Sequence, residues 1–304
     1  MGLVYGLLVS LCVVLSVAFF TLVERKSLAA FQIRKGPQKT GILGLPQPIA
    51  DALKLVMKDW WFPWRSNVYA FIIGPFFSFF VALIMWFLLP VASSGFIVKL
   101  GIIWFMCLSS LSVYGVMSAG WSSNSKYAML GTMRAVAQVI SYEISMGLIL
   151  FFPVVLGGGF YSINKISSSQ CWLVLGLVFF QLTQSWLITV LAETQRPPFD
   201  LAEGESELVS GYHVEYSGVG FAAIFLAEYT SLLLMGAVSV AMFLGGVGDF
   251  LFICLAGVLA WLSVWVRASF PRYRYDQLMG LTWKVLCPLS LGMLSVCCGV
   301  FCLV

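Results

Sequence analysis

The sequence predicts an all-α fold, a polytopic membrane bundle of eight transmembrane helices with one amphipathic helix in the interface of its first connection. Three observations carry that prediction. Of 304 residues, 61% are hydrophobic and only 10% are charged, whereas a soluble domain has about a quarter charged residues. Mean hydropathy is +0.97. Apolar runs of about 18 to 25 residues, long enough to cross a bilayer as helices, recur along the chain. In lipid every backbone polar group must be satisfied within its own segment, so runs of this kind read as helices.

In order, the spans cover residues 2–23, 68–89, 96–117, 135–156, 171–192, 218–244, 250–266 and 283–304, within a single integral membrane domain, 1–304. The first span is too long for a signal peptide's apolar core and lacks a basic start or a small-residue cleavage site. Of the seventeen lysines and arginines, fifteen fall in odd-numbered connections and only Lys99 and Lys165 border the other side. The positive-inside rule therefore puts odd connections in the matrix or cytoplasm and both termini in the opposite compartment.

The first connection holds eight cations and opens with Glu24, Arg25 and Lys26, followed by the Arg34-Lys35-Gly36-Pro37 turn. Beyond Pro46, the apolar residues Ile49, Ala52, Leu53, Val56, Met57 and Trp60 follow one helix face over about 48–60. Such a helix spans only about 20 Å at 1.5 Å per residue, too short to cross. It belongs in the interface, with Lys54 and Lys58 at headgroup level and Trp60, Trp61 and Trp64 as anchors. Two readings stay open: a lipid-docked connector, or a lip over which an amphiphile slides from the bilayer.

The fifth connection concentrates acid. Glu193, Asp200, Glu203, Glu205, Glu207 and Glu215 face a single cation, Arg196. Asp200 and Glu203 match a capping box, which leaves four acids unexplained. Two more carboxylates lie inside spans, Glu143 in the fourth and Glu228 in the sixth, each roughly 14 Å deep. Acids at that depth cost about 2.5–3.5 kcal/mol on insertion scales and mark an ion or proton path by default. The bland alternative is a buried ion pair, with Arg134 as the nearby cation for Glu143. Tyr142 and Tyr229, each beside one of these acids, are hydrogen-bond donors or packing residues.

Other features exclude functions. The eight cysteines fall in apolar runs with no C-x-x-C pair, which argues against a disulfide framework or thiolate metal cage. With His213 the only histidine, a bis-histidine haem is ruled out. Pro75, Pro153 and Pro288 interrupt spans. The glycines at 157–159 and 245–246 lack any phosphate-loop context.

At specific runs the sequence resembles a known family. These are the stretches from Glu24 to Ala29, Ile33 to Pro37, Gln47 to Lys54, Arg134 to Gln138 and Ser141 to Glu143. The longest is Leu191 to Gly211, continued by Glu215-Tyr216-Ser217 and Ala227-Glu228-Tyr229, and the series closes at Arg272 to Gln277. Together they resemble the subunit 1 family of NADH:ubiquinone oxidoreductase, respiratory complex I. The resemblance implies a core membrane-arm subunit beneath the peripheral arm, walling the quinone entrance and chamber and opening the path that couples quinone reduction to proton translocation. It implies no complete active site in this chain. It also implies no metal, flavin or nucleotide here, with FMN and iron–sulfur clusters in partner subunits and ubiquinone as substrate.

Carried over by position, the entrance and chamber take Glu24, Arg25, Arg34, Lys35, Asp51, Ala52, Arg196, Phe199, Arg272 and Arg274. The proton path takes Glu193, Asp200, Glu203, Glu205, Glu207, Glu215, Glu143, Glu228 and Tyr142. Implied partners are the peripheral-arm quinone-site subunits, other membrane-arm subunits, ubiquinone and membrane lipids, with no nucleic acid. Two carboxylates about 7 Å apart at an effective dielectric near 20 repel by about 2.4 kcal/mol, close to 1.7 pKa units. Crowded acids of this kind hold some protons at neutral pH and redistribute them when charge changes nearby.

Two other classes compete, the membrane anchor of an energy-converting hydrogenase and a stand-alone proton or ion transporter. No inverted repeat is visible for the latter. The expected location is the mitochondrial inner membrane with both termini in the intermembrane space, the alternative being a bacterial plasma membrane with periplasmic termini.

Overall fold

The computed structural model describes residues 2–89, 98–170, 174–201, 211–245 and 248–303. Among these there is helix and connecting loop and no strand. Helix α1 (Gly2–Phe31) is followed by α2 (Gln47–Met57), α3 (Val68–Met85, extended by a 3₁₀ turn to Leu88), α4 (Gly101–Ser122) and α5 (Lys126–Leu156). Then come α6 (Ile163–Ser169), α7 (Leu175–Val178), α8 (Phe180–Glu193) and a 3₁₀ turn, Gly211–His213. The chain finishes with α9 (Gly218–Phe243), α10 (Asp249–Ser269), α11 (Tyr275–Leu281), a π turn over Thr282–Leu286, and α12 (Cys287–Leu303).

Among the described residues, seven helical segments are long and apolar enough to cross a membrane. The expected fifth span, 171–192, is not among them, and its first three residues lie outside the described residues. Its described part is one turn, α7, and the fourteen residues of α8, parted at Phe179 (φ −110°, ψ 61°). Several helices also outrun their apolar stretch. α1 runs eight residues past Val23, so Glu24, Arg25 and Lys26 ride on helix rather than loop. α5 starts at Lys126, which brings Arg134 inside the helix. Apolarity marks where lipid lies, whereas helix length follows the backbone hydrogen bonds, which continue wherever protein or interface supports them.

Helices α5 and α9 are the inner helices and α1 and α10 the outer ones. A core of buried residues from α3, α4, α5, α8 and α9 holds the bundle, including Phe105, Met146, Leu150, Trp186 and Met242. Small residues let α3 and α4 approach closely: a Cβ on Gly115 would lie 2.8 Å from Ser78 Cβ, and one on Gly74 would lie 3.0 Å from the Ala119 nitrogen. Buried polar groups are paired across helices. Trp186 Nε1 donates to Ser239 Oγ at 2.8 Å, and Gln170 Nε2 donates to the Met242 carbonyl at 2.7 Å while its Oε1 accepts from the Gly245 amide at 3.1 Å. The α5 start is capped by Ser125, whose side chain accepts from the Ala128 amide.

Candidate functional site

Two helix ends place the site's arginines. α8 closes in a Schellman motif: the Arg196 amide bonds to the Leu191 carbonyl, the Gln195 amide to that of Ala192, and Gln195 takes φ +50°. This turn swings Arg196 back against the bundle. α1 ends the same way, with Arg34 bonded to the Ala29 carbonyl and Ile33 at φ +56°. A β-branched residue is a rare occupant of that left-handed position. Arg34 and Lys35 are left exposed beyond it.

Glu24 is the hub of the first cluster. Buried at 4% exposure, its Oε1 accepts from Arg196 Nη1 at 3.2 Å and from Arg267 Nη1 on α10. Its Oε2 accepts from the Tyr229 hydroxyl on α9. The Arg196 guanidinium lies 4.2 Å from the Tyr229 ring centroid, a cation–π stack. Burial opposes the charge on Arg196, but Tyr229, Glu24 and Glu228 outweigh it and raise its pKa above the usual arginine range. The sequence left Tyr229 as either a hydrogen-bond donor or a packing residue. Adjacent residues on a helix point about 100° apart, and here Tyr229 turns to Glu24.

On the next residue of α1, Arg25 Nη1 meets Asp51 Oδ2 at 2.6 Å, and Gln47 Nε2 reaches Asp51 Oδ1 at 2.9 Å. Lys26 Nζ donates to the Leu43 carbonyl at 2.6 Å. These polar contacts bind α2 and the loop before it to α1. The apolar stripe of α2 is not spent on that docking. Ile49, Leu53, Val56 and Met57 are exposed by 53 to 80%, and Ala52 is exposed among them. At the end of α2, Gly218 sits at φ +58°, and a Cβ there would lie 2.9 Å from the Lys58 carbonyl oxygen. Only glycine allows this approach between the α2 end and the α9 start.

The acidic loop begins on the opposite side of Arg196. Asp200, buried, pairs with Arg272 at 3.3 Å. Phe199 is buried between Tyr142 (ring centroids 5.9 Å) and Tyr273 (stacked, 5.5 Å). Gln138 Nε2 on α5 ties the backbone down by donating to the Ala192 and Phe199 carbonyls at 2.9 and 2.7 Å. Tyr142 donates to the Leu278 carbonyl at 3.4 Å rather than to Glu143. Arg274 instead pairs with Asp276 at the surface, at 3.2 Å. Glu203, Glu205 and Glu207 lie outside the described residues, and Glu215 is half-buried. Arg134 does not serve as the cation for Glu143. Nine residues on one α-helix separate them by about 13.5 Å along the axis and half a rotation about it.

A cavity of ≈ 90 Å³ lies between α3, α4, α5, α8 and α9, with Glu193 and Glu228 on its walls together with Ser109, Ser112, Thr194 and Ser231. Glu193 is the last residue of α8 and lies outside the seven spans. Burial, and next the nearby Glu143, push its carboxyl up to about 8. Among the described residues its Oε2 has no hydrogen-bond partner. On the other wall, Glu228 Oε1 accepts from the Tyr212 hydroxyl at 2.6 Å and lies 3.3 Å from His213 Nε2.

Tyr212, His213 and Arg267 were not singled out by sequence reasoning for these roles. Their partners lie 15 or more residues away and on other elements. The one available signal was that a lone histidine directly preceded a span containing an acid. Among the described residues, no three His, Cys, Asp or Glu side chains come together in a way that could hold a metal ion.

Comparison with known proteins then gives a consistent picture. Residues 4–298 match the family model described as NADH dehydrogenase. The chain is 49% identical over 297 residues to "NADH-ubiquinone oxidoreductase chain 1" of Heterololigo bleekeri, covering 95% of this chain and 94% of that protein. It is 50% identical over 291 residues to the protein of the same name from Patiria pectinifera (93% and 89%). The counterpart from Anopheles gambiae is 48% identical over 296 residues (97% and 94%).

Proposed function

Because the chain belongs to the NADH dehydrogenase family, as a membrane subunit of NADH-ubiquinone oxidoreductase, we propose that it walls the quinone entrance and chamber of that complex and begins the proton path. The observation that carries this reading is the pair of carboxylates, Glu193 and Glu228, facing one cavity of ≈ 90 Å³. Such a space holds several waters, each needing on the order of 10–15 Å³ of probe-sized room. Acids joined by water exchange protons without leaving their places.

Reduction of ubiquinone to quinol takes up two electrons and two protons, so the local charge changes with each turnover. In a low-dielectric site that change is felt strongly by neighbouring acids. Protons then shift among the acids of the loop after α8, Glu193 and Glu228, and onward to Glu143. The Arg272–Asp200 pair and the Phe199 stack hold the first part of the loop in register with α5. The exposed stripe of α2, locked to α1 by Arg25 and Asp51, supplies an apolar slope for a quinone tail.

In this reading the cation-rich connections lie in the mitochondrial matrix, both termini in the intermembrane space, and the peripheral-arm quinone-site subunits cover the loops. FMN and iron–sulfur clusters reside in those partners, ubiquinone is the substrate, and lipids surround the outer helices. The test is a Glu→Gln series at Glu193, Glu228 and the pair Glu203/Glu205 in the assembled complex, read for both ubiquinone reduction and proton pumping. Loss of pumping with quinone reduction largely kept supports the reading. Wild-type pumping throughout the series overturns it.

A further inference from the structure

The remaining chemistry sits beside Glu228. His213 ends the 3₁₀ turn that leads into α9, and its side chain is 3% exposed. Three aromatic rings enclose its imidazole: Tyr212 at 3.8 Å, Phe225 stacked at 5.4 Å and Phe221 edge-on at 6.1 Å between centroids. Its Nε2 lies 3.3 Å from Glu228 Oε1, the same oxygen that accepts from the Tyr212 hydroxyl. The turn is held against α5 where Gly131 allows contact; a Cβ there would come within 3.0 Å of Gly211 Cα.

We infer that His213 is the immediate proton partner of Glu228, the two sharing one dissociable proton between imidazole Nε2 and carboxylate Oε1 while Tyr212 fixes the carboxylate in place. This inference rests on the proton-path reading of the cavity and adds a residue to it. An imidazole changes charge near neutral pH, so it suits a group that must both take and return a proton. With the proton on Nε2 the pair is imidazolium and carboxylate. When the proton crosses to Oε1, both become neutral, and the Nε2 lone pair is free for the next proton. The aromatic enclosure disfavours an isolated charge on either group, which ties the two together as one titrating unit.

Few charged groups face this unit. Arg196, in the loop after α8, lies close enough for the charge of Glu228 to favour its guanidinium form. Glu193 faces it across the cavity from α8. α5 carries Arg134 one turn beyond Gly131 and Glu143 further along. Glu215 and Tyr216 follow the turn in sequence, the Tyr216 hydroxyl bonding to the Phe71 and Ala119 carbonyls. The titratable residues of α4, Cys107 and Tyr114, face outward. His213 is thus the one group beside Glu228 whose ordinary titration falls near pH 7. It is a positioning residue, acting through Glu228 and touching no substrate.

The test uses the assembled complex in sealed vesicles, with pumping per quinone reduced measured from pH 6 to 9. Wild type is expected to show a step of about threefold or more in the pumping ratio across the histidine range. His213→Gln, which keeps a nitrogen donor but does not titrate, is expected to lose that step, whereas Tyr212→Phe keeps it with a lower plateau. Redox-difference infrared spectra of the unmodified complex are expected to show imidazole and carboxyl bands changing together, so the test stands even if a variant fails to assemble. An unchanged pH step in His213→Gln, or a carboxyl band that moves with no imidazole band, overturns the inference. Glu228→Gln separates the two claims. If it abolishes pumping while His213→Gln is silent, only the histidine assignment fails; if it pumps normally, the path itself is wrong.

Discussion

Replacing Glu24 with glutamine removes one charge from the centre of a three-way contact. Glutamine still offers an oxygen to Tyr229, but Arg196 and Arg267 lose their counter-charge. Leaving one member of a buried ion pair uncompensated costs about 3–5 kcal/mol. Arg196, with a side chain 11% exposed, bears most of that cost, whereas Arg267 at 39% can turn to water. Arg196 also retains the face of the Tyr229 ring, so the lower end applies, about 3 kcal/mol. At 1.36 kcal/mol per factor of ten, local opening rises by about 150-fold. Hydrogen–deuterium exchange of the assembled complex, followed in peptides from the end of α1 and the loop after α8, reads this directly. The double variant Glu24→Gln/Arg196→Gln is expected to recover about half of the loss or more, because it removes the stranded charge as well. Exchange within about threefold of wild type in Glu24→Gln refutes the reasoning, as does additivity of the two substitutions within about 0.5 kcal/mol.

Gly218→Ala combines a left-handed backbone position with a Cβ 2.9 Å from the Lys58 carbonyl oxygen; overpacking of this kind costs about 1–3 kcal/mol, and a lower midpoint for thermal inactivation is expected. Ala52→Asp or Ala52→Trp, on the exposed face of α2, is expected to raise the apparent KM for long-chain quinones more than for short ones; equal effects would make α2 a plain connector. Glu193 has a folded pKa raised to about 8 from a usual 4.5, so its contribution to stability is whole below 4.5 and is lost as pH rises through about 8. Glu193→Gln is therefore expected to flatten the fall in thermal stability between pH 5 and 8, and an unchanged slope would count against the burial of that carboxyl.

Much of the bundle was legible in the sequence because lipid imposes a simple rule, that a helix crossing it must be apolar over its length. Where protein replaces lipid the rule weakens. α8 is short and parted from α7 at Phe179, which hydropathy does not show, and the polar ends of α1 and α5 hid several further turns. The acids were visible as anomalies, but their partners were not. Nothing local says that Tyr229 turns away from Glu228 toward Glu24, or that Tyr142 spends its hydroxyl on the Leu278 carbonyl. Those choices depend on helix rotation, which the packing of α9 on α3 and α1 decides. The stripe on α2 was read correctly as apolar, but its direction could not be read. It is the polar residues Arg25, Gln47 and Asp51 that dock the helix and leave the stripe outward.

The partners of Glu24 lie 172, 205 and 243 residues further along the chain. During synthesis at about 5–20 residues per second, this acid therefore waits roughly ten to fifty seconds before the last of its companions emerges. Until then its nearest opposite charges are its sequence neighbours Arg25 and Lys26. The contacts of Glu24 are therefore complete only once α10 has been made, which ties the oldest part of the nascent protein to one of its youngest.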